Sequence, residues 1–249
     1  MSVEFTERIV LITGAGAGIG RSTALALARV GAIVHALGRK ENDLQSLAIE
    51  AAQHGQCIYP QIADVSNVEQ VQAAVQAVQS RHGRIDVLLN NAGVMYLAPI
   101  RDGELQDWTA MIQTNLLGAL NTMQAVLPGM LAQGSGDILN LSSISARLIG
   151  PGTAVYAASK KAVEVISESM RQELAGTGVR VGCLQLGGIA TELNGKIRNS
   201  AMRRLIKMRS QSYHDLPVDA VVGEILHILS RPRYLNIGSS FILSSDQAS

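Results

Sequence analysis

A tyrosine and a lysine four residues apart have types and spacing that could carry out proton transfer. They are Tyr156 and Lys160, in the small, apolar run VYAASKKAV that begins at residue 155. In a helix, residues at i and i+4 share a face, so Lys160 is expected beside the phenol and Lys161 is not. A neighbouring ammonium lowers the phenol pKa below its usual value of about 10. The pair is a candidate general acid and base; the alternative is a tyrosine at the core edge beside a snorkelling lysine.

Polar residues from two other parts of the chain could join this pair. NLSSISA, residues 140–146, ends a predicted strand, so its serines are expected at the carboxyl edge of the sheet, near the start of the tyrosine helix. Asn115 falls in the middle of a predicted helix, where asparagine is a poor helix former. A buried Asn115 needs hydrogen-bond partners, either in an active site or on a local backbone carbonyl.

A glycine-rich turn at residues 13–20, TGAGAGIG, follows the first predicted strand and opens a helix. Backbone N–H groups at such a helix N-terminus can bind the pyrophosphate of a dinucleotide, and glycines allow its close approach. The spacing of Gly14, Gly18 and Gly20 follows GxxxGxG rather than GxGxxG. The turn indicates cofactor binding, with a purely structural turn as the alternative. The expected phosphate-binding residues are Gly14, Gly16, Ala17, Gly18, Ile19 and Gly20.

The end of the second predicted strand bears on the choice between two dinucleotides. Dinucleotide sites usually carry an acid here that holds the adenosine ribose, but this chain has Gly38 and Arg39. An acid would repel a 2′-phosphate, whereas a glycine leaves room for it and a guanidinium donates bidentate hydrogen bonds to it. These two residues favour NADP(H). The alternative is a solvated surface arginine at a strand end.

The third and fourth predicted strands end in further candidate cofactor contacts. Asp64 and Val65 follow the third strand; the carboxylate could accept a hydrogen bond from the adenine amino group, or could cap the helix that starts near Asn67. NNAG, residues 90–93, ends the fourth strand at the expected crevice of the sheet. The residues expected against the adenosine and ribose are Asn90, Asn91, Ala92 and Gly93.

The elements that must position these residues alternate between strands and helices. Short aliphatic runs predict strands buried on both faces, and the amphipathic helices between them are typical of a parallel sheet with right-handed crossovers. We therefore expect an α/β protein: a single doubly wound Rossmann-type domain over residues 1–249, with a seven-stranded parallel sheet and helices on both faces. The predicted strands are 8–13, 32–37, 57–62, 85–90, 137–142, 179–186 and 241–244, and the predicted helices are 19–30, 41–54, 67–82, 105–131, 153–175 and 218–230.

One polar, basic segment, residues 191–216, does not follow this alternation and is predicted to be a lid insertion. Its cations could steer an anionic substrate or could form a solvated helix face. These cations are Lys196, Arg198, Arg203, Arg204, Lys207 and Arg209. The apolar residues expected to line a substrate pocket, or else to belong to the core, are Met95, Leu148, Ile149, Leu193 and Met202.

Composition argues against several other classes of protein. The chain has 249 residues, of which 47% are hydrophobic, and a net charge of +1, so it can bury a large core and gives no reason to expect a nucleic-acid partner. Its five histidines lack metal-ligand spacing, and its two cysteines fall in predicted buried strands, so we expect neither a metal site nor a disulfide. No apolar run approaches the ~18 to 20 residues that span a bilayer, and no signal region is visible, so we expect a cytoplasmic protein without a membrane partner.

Together these motifs resemble the short-chain dehydrogenase/reductase family over nearly the whole chain. TGxxxGxG, NNAG, the helical asparagine, a serine and YxxxK occur in the family's order and spacing. In that family the catalytic serine stands thirteen positions before the tyrosine, which selects Ser143 over Ser142. The segments DWTAMIQTNLLGAL, TEL and FILSSDQ resemble more closely the branch that contains clavulanate dehydrogenase, without implying that substrate.

The resemblance implies an NADP(H)-dependent carbonyl reductase or alcohol dehydrogenase that acts on a small ketone, aldehyde or alcohol. Tyr156 would be the general acid and base, and Ser143 would donate a hydrogen bond to the reacting oxygen. Lys160 would lower the pKa of Tyr156 and bind the nicotinamide ribose, and Asn115 would hold a water that relays protons to Lys160. The alternatives are an NADP-binding regulatory protein without turnover and an NADP-using epimerase or dehydratase.

The loop after the sixth predicted strand departs from the family's pattern. Leu186 stands where the family often has proline, so the loop that faces the nicotinamide loses one fixed φ and is expected to hold the ring less firmly. Thr191 matches the family's threonine near the carboxamide or pyrophosphate, and the alternative is a cap of the lid. The expected cofactor contacts of this loop are Gly187, Ile189 and Thr191.

The resemblance also suggests a homotetramer. Two predicted helices, 105–131 and 153–175, carry apolar residues on more than one face, and an outward stripe could bury against a second subunit. The residues of this stripe are Leu117, Leu120, Val163, Ile166 and Met170.

Overall fold

A seven-stranded parallel sheet forms the centre of the structure, a computed structural model that describes residues 5–191, 195, 197–209 and 213–247. The strands are β1 (Ile9–Thr13), β2 (Ile33–Gly38), β3 (Ile58–Ile62), β4 (Val87–Asn90), β5 (Gly136–Ser143), β6 (Val179–Leu186) and β7 (Ser239–Ile242). Their order is β3-β2-β1-β4-β5-β6-β7, and every neighbouring pair is parallel. The predicted sheet is confirmed. Because the winding reverses between β1 and β4, a crevice opens at their carboxyl ends.

Helices cover both faces of this sheet, as the sequence predicts. They are α1 (Gly18–Arg29), α2 (Glu41–Gln53), α3 (Val68–His82), α4 (Leu105–Met111), α5 (Gly118–Ala132), α6 (Ala154–Glu173), α7 (Ser200–Arg209) and α8 (Val218–Leu229). Helices α1, α2 and α8 pack on one face, and α3, α5 and α6 pack on the other. Within β1, Val10 and Ile12 join the first of these cores, whereas Ile9 and Leu11 join the second. This burial on both faces explains why the strand sequences are continuously apolar.

The region predicted as one helix over residues 105–131 consists of three segments. A π-helical segment, Ile112–Leu117, separates α4 from α5. Asn115 lies in this segment, and its side chain bonds to both backbone groups of Val94, accepting from N–H at 2.7 Å and donating to C=O at 2.9 Å. The prediction of a continuous α-helix is therefore wrong. The helix is widened locally at the asparagine that bonds to another segment, and π-helical turns of this kind are frequent at functional sites. The apolar periodicity of the sequence does not reveal such a turn.

The described part of the lid contains helix α7, although the sequence showed no alternating pattern there. Asn199 caps this helix, since its Oδ1 atom accepts from the N–H groups of Ala201 and Met202, each at 3.1 Å. Thr191 therefore does not cap α7, and its role as a cap of the residues that directly follow it stays a prediction. Leu193, Lys196 and the side chain of Arg209, which were expected in the lid or its pocket, lie outside the described residues.

The apolar stripe predicted for a subunit interface is mostly occupied within the chain. Val163 is buried in the core, and Leu120, Ile166 and Met170 pack against the same core. Leu117 is exposed. Val163 is thus unavailable to a second subunit, and the homotetramer stays a prediction.

Three further features of the described residues bear on the expectations from composition. None of the helices in these ranges is long and apolar enough to cross a bilayer. In the same part of the chain, no three histidine, cysteine, aspartate or glutamate side chains are grouped as metal ligands. Both cysteines are free, and Cys57 is exposed rather than buried as predicted, because it precedes the first residue of β3.

Candidate active site

Ser143 and Tyr156 are hydrogen-bonded to each other at the carboxyl edge of the sheet. Ser143 is the last residue of β5, and Tyr156 lies in the first turn of α6. Neighbouring strand residues point to opposite faces, so Ser142 faces the other way. Its hydroxyl lies 3.2 Å from the carbonyl oxygen of Lys160 and 2.8 Å from the carboxylate of Glu164. The geometry therefore places Ser143, and not Ser142, beside the tyrosine.

Tyr156 is a buried phenol whose side chain belongs to an apolar cluster. Only 6% of the residue is exposed, and burial raises the pKa of Tyr156 above its usual value, although the hydrogen bond from Ser143 opposes this shift. The expectation that Lys160 lowers this pKa is wrong for the chain by itself. Loss of hydration penalises the phenolate, and the ammonium is directed elsewhere.

Lys160 lies one turn after Tyr156 and is also buried. Its ammonium donates to the carbonyl oxygen of Leu141 at 2.9 Å. Burial lowers the pKa of Lys160 to about 8, and the thiol of Cys183 opposes the shift weakly. An amine with this pKa exchanges protons near neutral pH, which suits a group in a proton relay.

Asn115 joins three parts of the site rather than bonding a local carbonyl. Besides Val94, its amide donates to the hydroxyl of Ser159 at 3.0 Å, and that hydroxyl donates to the carbonyl oxygen of Tyr156 at 2.7 Å. A cavity of about 10 Å³ adjoins Asn115 and Lys160, which is about the room one water needs. Ser159 is a fully buried polar residue that was not predicted from the sequence, where its only signal is its place beside Lys160.

The glycine turn after β1 is packed against the segment that follows β4. Gly14 has a φ of +65°, and a Cβ atom there would lie 2.8 Å from the Cα of Ala92. A Cβ atom on Gly20 would lie 2.5 Å from the carbonyl oxygen of Gly14. The amide of Asn91 donates to the carbonyl oxygens of Thr13 at 2.9 Å and Gly14 at 3.1 Å. Close backbone packing therefore requires both glycines, and Asn91 fixes the turn from β4.

The N-terminus of α1 has the features of an anion site. Ala17 occupies the N-cap position without a side-chain hydrogen bond, and the first turn contains no acid. The first N–H groups of the helix and its positive dipole end thus remain available to a phosphate. Thr191 lies beside this end, because a Cβ atom on Gly18 would be 3.8 Å from its Cγ2 atom. The side chain of Ile19 packs on the core, so this residue can offer only its backbone.

Arg39 and Asp64 lie together at the ends of β2 and β3. Their charged groups are 3.5 Å apart, and the Arg39 side chain is 62% exposed. Partial burial tends to raise the pKa of Asp64, but hydrogen bonds from Ser66 and the charge of Arg39 lower it overall.

Asn67, rather than Asp64, caps α3 by accepting from the N–H of Gln70 at 2.8 Å. The cap alternative for Asp64 is therefore wrong. The carbonyl of Val65 accepts from Asn121 at 2.9 Å, and its side chain is buried.

The side chain of Asn90 does not face the crevice. It donates to Asn140 at 2.9 Å and accepts from the hydroxyl of Thr122 at 2.6 Å, within a buried polar group between the sheet and α5. Its expected contact with the cofactor is thereby restricted to the backbone. Gly93, by contrast, adjoins the site, since a Cβ atom there would be 3.5 Å from Nζ of Lys160.

The lid covers Tyr156 with apolar side chains. The members of this cluster are Met95, Leu97, Met111, Tyr156, Ile197 and Met202. Met95 and Met202 therefore lie where they were expected, whereas Ile149 is 73% exposed and lies outside the cluster, as does Leu148. Arg198 is paired with Asp107 at 3.3 Å, while Arg203 and Arg204 are exposed.

Comparison with known proteins places the whole arrangement in a family. The family model of short chain dehydrogenases matches residues 8–201. An uncharacterized oxidoreductase of Staphylococcus saprophyticus is 39% identical over 236 residues, which cover 94% of this chain and 96% of that protein.

Two solved structures are similar over almost the full length. A gluconate 5-dehydrogenase from Burkholderia cenocepacia, in complex with NADP and tartrate, is 33% identical with a TM-score of 0.84 and covers 96% of this chain and 95% of that one. The closed form of a serine dehydrogenase complexed with NADP+ is 29% identical with a TM-score of 0.88 and covers 97% and 96%. These relatives do not single out the branch that contains clavulanate dehydrogenase, which stays a prediction. With its parallel sheet, its glycine turn and its Ser143–Tyr156 pair, the chain belongs to the short-chain dehydrogenase family of oxidoreductases.

Proposed function

We propose that the chain is an NADP(H)-dependent carbonyl reductase or alcohol dehydrogenase that acts on a small ketone or aldehyde and the corresponding alcohol. The observation that carries this proposal is the hydrogen bond between Ser143 and Tyr156, one helical turn from the buried Lys160. A structural tyrosine would not need a serine donor on its hydroxyl together with a buried amine below it. The arrangement supports acid–base work on an oxygen atom.

Several residues fit a dinucleotide that carries a 2′-phosphate. The uncapped N-terminus of α1 and the turn from Gly14 to Gly20 would hold the pyrophosphate, with Thr191 beside them. A Cβ atom on Gly38 would make only an ordinary contact, 3.5 Å from Leu44, so packing within the chain does not require glycine there. The exposed guanidinium of Arg39 could then bind the 2′-phosphate. The related gluconate and serine dehydrogenase structures both hold NADP, which favours the same cofactor here.

The remaining contacts follow from the same crevice. Asp64 and Val65 would lie near the adenine, and the backbone of residues 90–93 would lie against the adenosine and ribose. Lys160 and Tyr156 would bind the nicotinamide ribose, and the loop with Gly187 and Ile189 would face the nicotinamide. NADPH, when bound, supplies the hydride.

The proton chemistry is assigned to the chain's own residues. Because burial keeps the pKa of Tyr156 above its usual value, the phenol is protonated at neutral pH and can give its proton to the developing alkoxide. Ser143 donates a hydrogen bond to the same oxygen. Lys160 can resupply the proton, since its pKa of about 8 lies near neutrality, and the small cavity beside Asn115 offers room for the relaying water.

The substrate pocket is proposed to be moderately apolar. Met95, Met111 and Met202 surround Tyr156, and methionine side chains adapt to differently shaped ligands. The paired Arg198 and the exposed Arg203 are more consistent with a solvated face of the lid than with an anion site.

The proposal is tested by measuring NADPH oxidation at 340 nm with a panel of aliphatic and aromatic ketones and aldehydes. We expect turnover of at least one carbonyl, and a fall in rate of about 10²- to 10⁴-fold for Tyr156→Phe, the range for loss of a general acid. Because the phenol ring is kept, NADPH affinity should change little.

Lys161→Ala is the matched control, because Lys161 lies on the same helix but is exposed and paired with Glu164 at 3.0 Å. NADPH binding without oxidation of any panel member would favour a regulatory protein. Interconversion of substrate and product without net NADPH consumption would favour an epimerase or dehydratase. Undiminished turnover by Tyr156→Phe would overturn the assignment of the general acid.

A further inference from the structure

The last described residues of the chain contact both ends of the lid. We call Ser244, Asp246 and Gln247 the C-terminal clamp. The two lid ends are residues 187–190, which follow β6, and residues 213–216, which precede α8. The clamp therefore lies where a change in its geometry would move the loop after β6.

Gln247 is the member of the clamp that reaches this loop. Its Oε1 atom accepts a hydrogen bond from the N–H of Gly188 at 3.0 Å, and its own N–H donates to the carbonyl of Ser244 at 3.0 Å. Only 9% of Gln247 is exposed. A buried side-chain amide needs hydrogen-bond partners, so its contact with Gly188 is a specific one.

Asp246 holds the other end of the lid. Its carboxylate accepts from the N–H of His214 at 3.1 Å and lies 2.7 Å from the Nδ1 atom of the same residue. The two lid ends also bond to each other: Leu216 donates to the carbonyl of Gly188 at 2.8 Å, and Ala190 donates to the carbonyl of Leu216 at 3.0 Å. The clamp and this short bridge together close the base of the lid.

The two glycines of the loop are packed without spare room. A Cβ atom on Gly187 would lie 2.6 Å from Oε1 of Gln247, and one on Gly188 would lie 2.6 Å from the ring of Tyr213. The N–H of Gly187 donates to the carbonyl of Ile242 at 2.8 Å. Contacts on both sides thus fix the path of the loop, and they do so without the φ restriction that a proline at residue 186 would supply.

We propose that Gln247 is a positioning residue for the nicotinamide half of the cofactor. By holding the N–H of Gly188, it sets the place of the loop that faces the ring, while Asp246 keeps the far end of the lid in register. This inference rests on the proposed function, because that function places the nicotinamide against the loop. The expectation that Leu186 leaves the ring less firmly held stays a prediction.

The experiment compares three variants of the chain. Gln247→Met keeps the length of the side chain and removes the acceptor, and Gln247→Glu keeps an acceptor. Ser245→Ala is the control, because Ser245 is an exposed neighbour in the same segment. For each variant we would measure the Kd for NADPH, the Kd for 2′,5′-ADP, which lacks the nicotinamide half, the Tm, and amide hydrogen exchange of residues 187–190 without ligand.

We expect Gln247→Met to weaken NADPH binding by about 3- to 10-fold, the range for one lost neutral hydrogen bond, with an unchanged Kd for 2′,5′-ADP. Exchange of residues 187–190 should become faster. Gln247→Glu should restore most of both properties, and Ser245→Ala should match the wild type.

Two results would overturn the inference. One is a Gln247→Met variant that equals Ser245→Ala in NADPH affinity and in exchange. The other is equal weakening of NADPH and 2′,5′-ADP together with a lower Tm, which would show a general stabilising role. Failure of the proposed function can be distinguished from failure of this inference. If the wild type does not oxidise NADPH with any carbonyl of the panel, the proposed function fails, and the hydrogen exchange of residues 187–190 still shows whether Gln247 holds the loop.

Discussion

The two sides of the cofactor crevice are held in different ways. On the side of β1 and β4, backbone packs directly on backbone, with Gly14 and Gly20 at positions where a Cβ atom would overlap neighbouring main chain. On the side of β6, single side chains near the chain end, above all Gln247, hold the loop that leads into the lid. The first kind of support demands glycine and so leaves a motif in the sequence. The second depends mainly on side chains, which can be of many types, although Gly187 and Gly188 in this loop also have no room for a Cβ atom.

This difference also separates the expected costs of mutation. Main chain packed at van der Waals limits cannot move aside, so an added methyl group must distort the turn. A single neutral side-chain hydrogen bond has a smaller net effect, because folding exchanges it for hydrogen bonds with water.

The largest effect is expected from a glycine-to-alanine substitution on the side of β1 and β4, compared with the same substitution in the lid. Gly20→Ala should lower NADPH affinity by about 100-fold and the free energy of unfolding by about 1–3 kcal/mol, because its Cβ atom would lie 2.5 Å from the carbonyl oxygen of Gly14. Gly195→Ala in the lid should change neither, since no described atom lies within 4 Å of its added Cβ. Fluorescence titration with NADPH and urea unfolding measure both quantities, and equal effects at the two positions would contradict the contrast.

A smaller effect is expected from a side chain that is proposed to recognise the cofactor at the end of β2, the strand that pairs with β1. Arg39→Ala should weaken NADPH binding by about 10-fold and leave NADH binding unchanged, at the lower end for a hydrogen bond to a charged group, because the exposed guanidinium must first leave Asp64. Lys40→Ala is the control, as its ammonium is also exposed and lies 3.8 Å from Asp43. An unchanged ratio of the two affinities in Arg39→Ala would remove this residue from the 2′-phosphate site.

A pH-dependent effect on stability is expected from a buried histidine on β2. Burial lowers the pKa of His35 to about 4, with smaller contributions from His82 and Arg81, and the Gln61 amide lies 3.1 Å from its Nδ1 atom. The unfolded chain takes up a proton on this ring near pH 6.5, whereas the folded chain does so only near pH 4. The stability contributed by the neutral ring is therefore fully present above pH 6.5 and is lost as the pH falls towards 4.

Urea unfolding at pH 7, 6 and 5 measures this dependence. The free energy of unfolding of the wild type should fall across this range, and His35→Gln should show a shallower fall. His54→Gln serves as the control, since His54 is exposed at the C-terminal end of α2. Parallel pH dependences for His35→Gln and the wild type would refute the role of His35.

Sequence reasoning reached the sheet and the glycine turn because both depend on local residue types. Continuous apolar strands indicate burial on two faces, and the spacing of Gly14, Gly18 and Gly20 indicates a turn that side chains would obstruct. It missed the π-helical segment at Asn115 and the inward-facing Asn90, because both depend on partners 21 to 50 residues away in the chain. It also gave Tyr156 the wrong direction of pKa shift, since spacing revealed the nearby charge of Lys160 but not the depth of burial.

By itself, then, the sequence determined the strand and helix types, the glycine turn, the glycine and arginine in place of an acid at the end of β2, and the order of the candidate catalytic residues. Each of these is carried by residue type and short-range spacing. Only the tertiary structure decided which serine faces Tyr156, where the ammonium of Lys160 is directed and that Gln247 holds the loop after β6. Those features depend on burial and on contacts between distant segments, which are fixed only when the sheet brings the segments together.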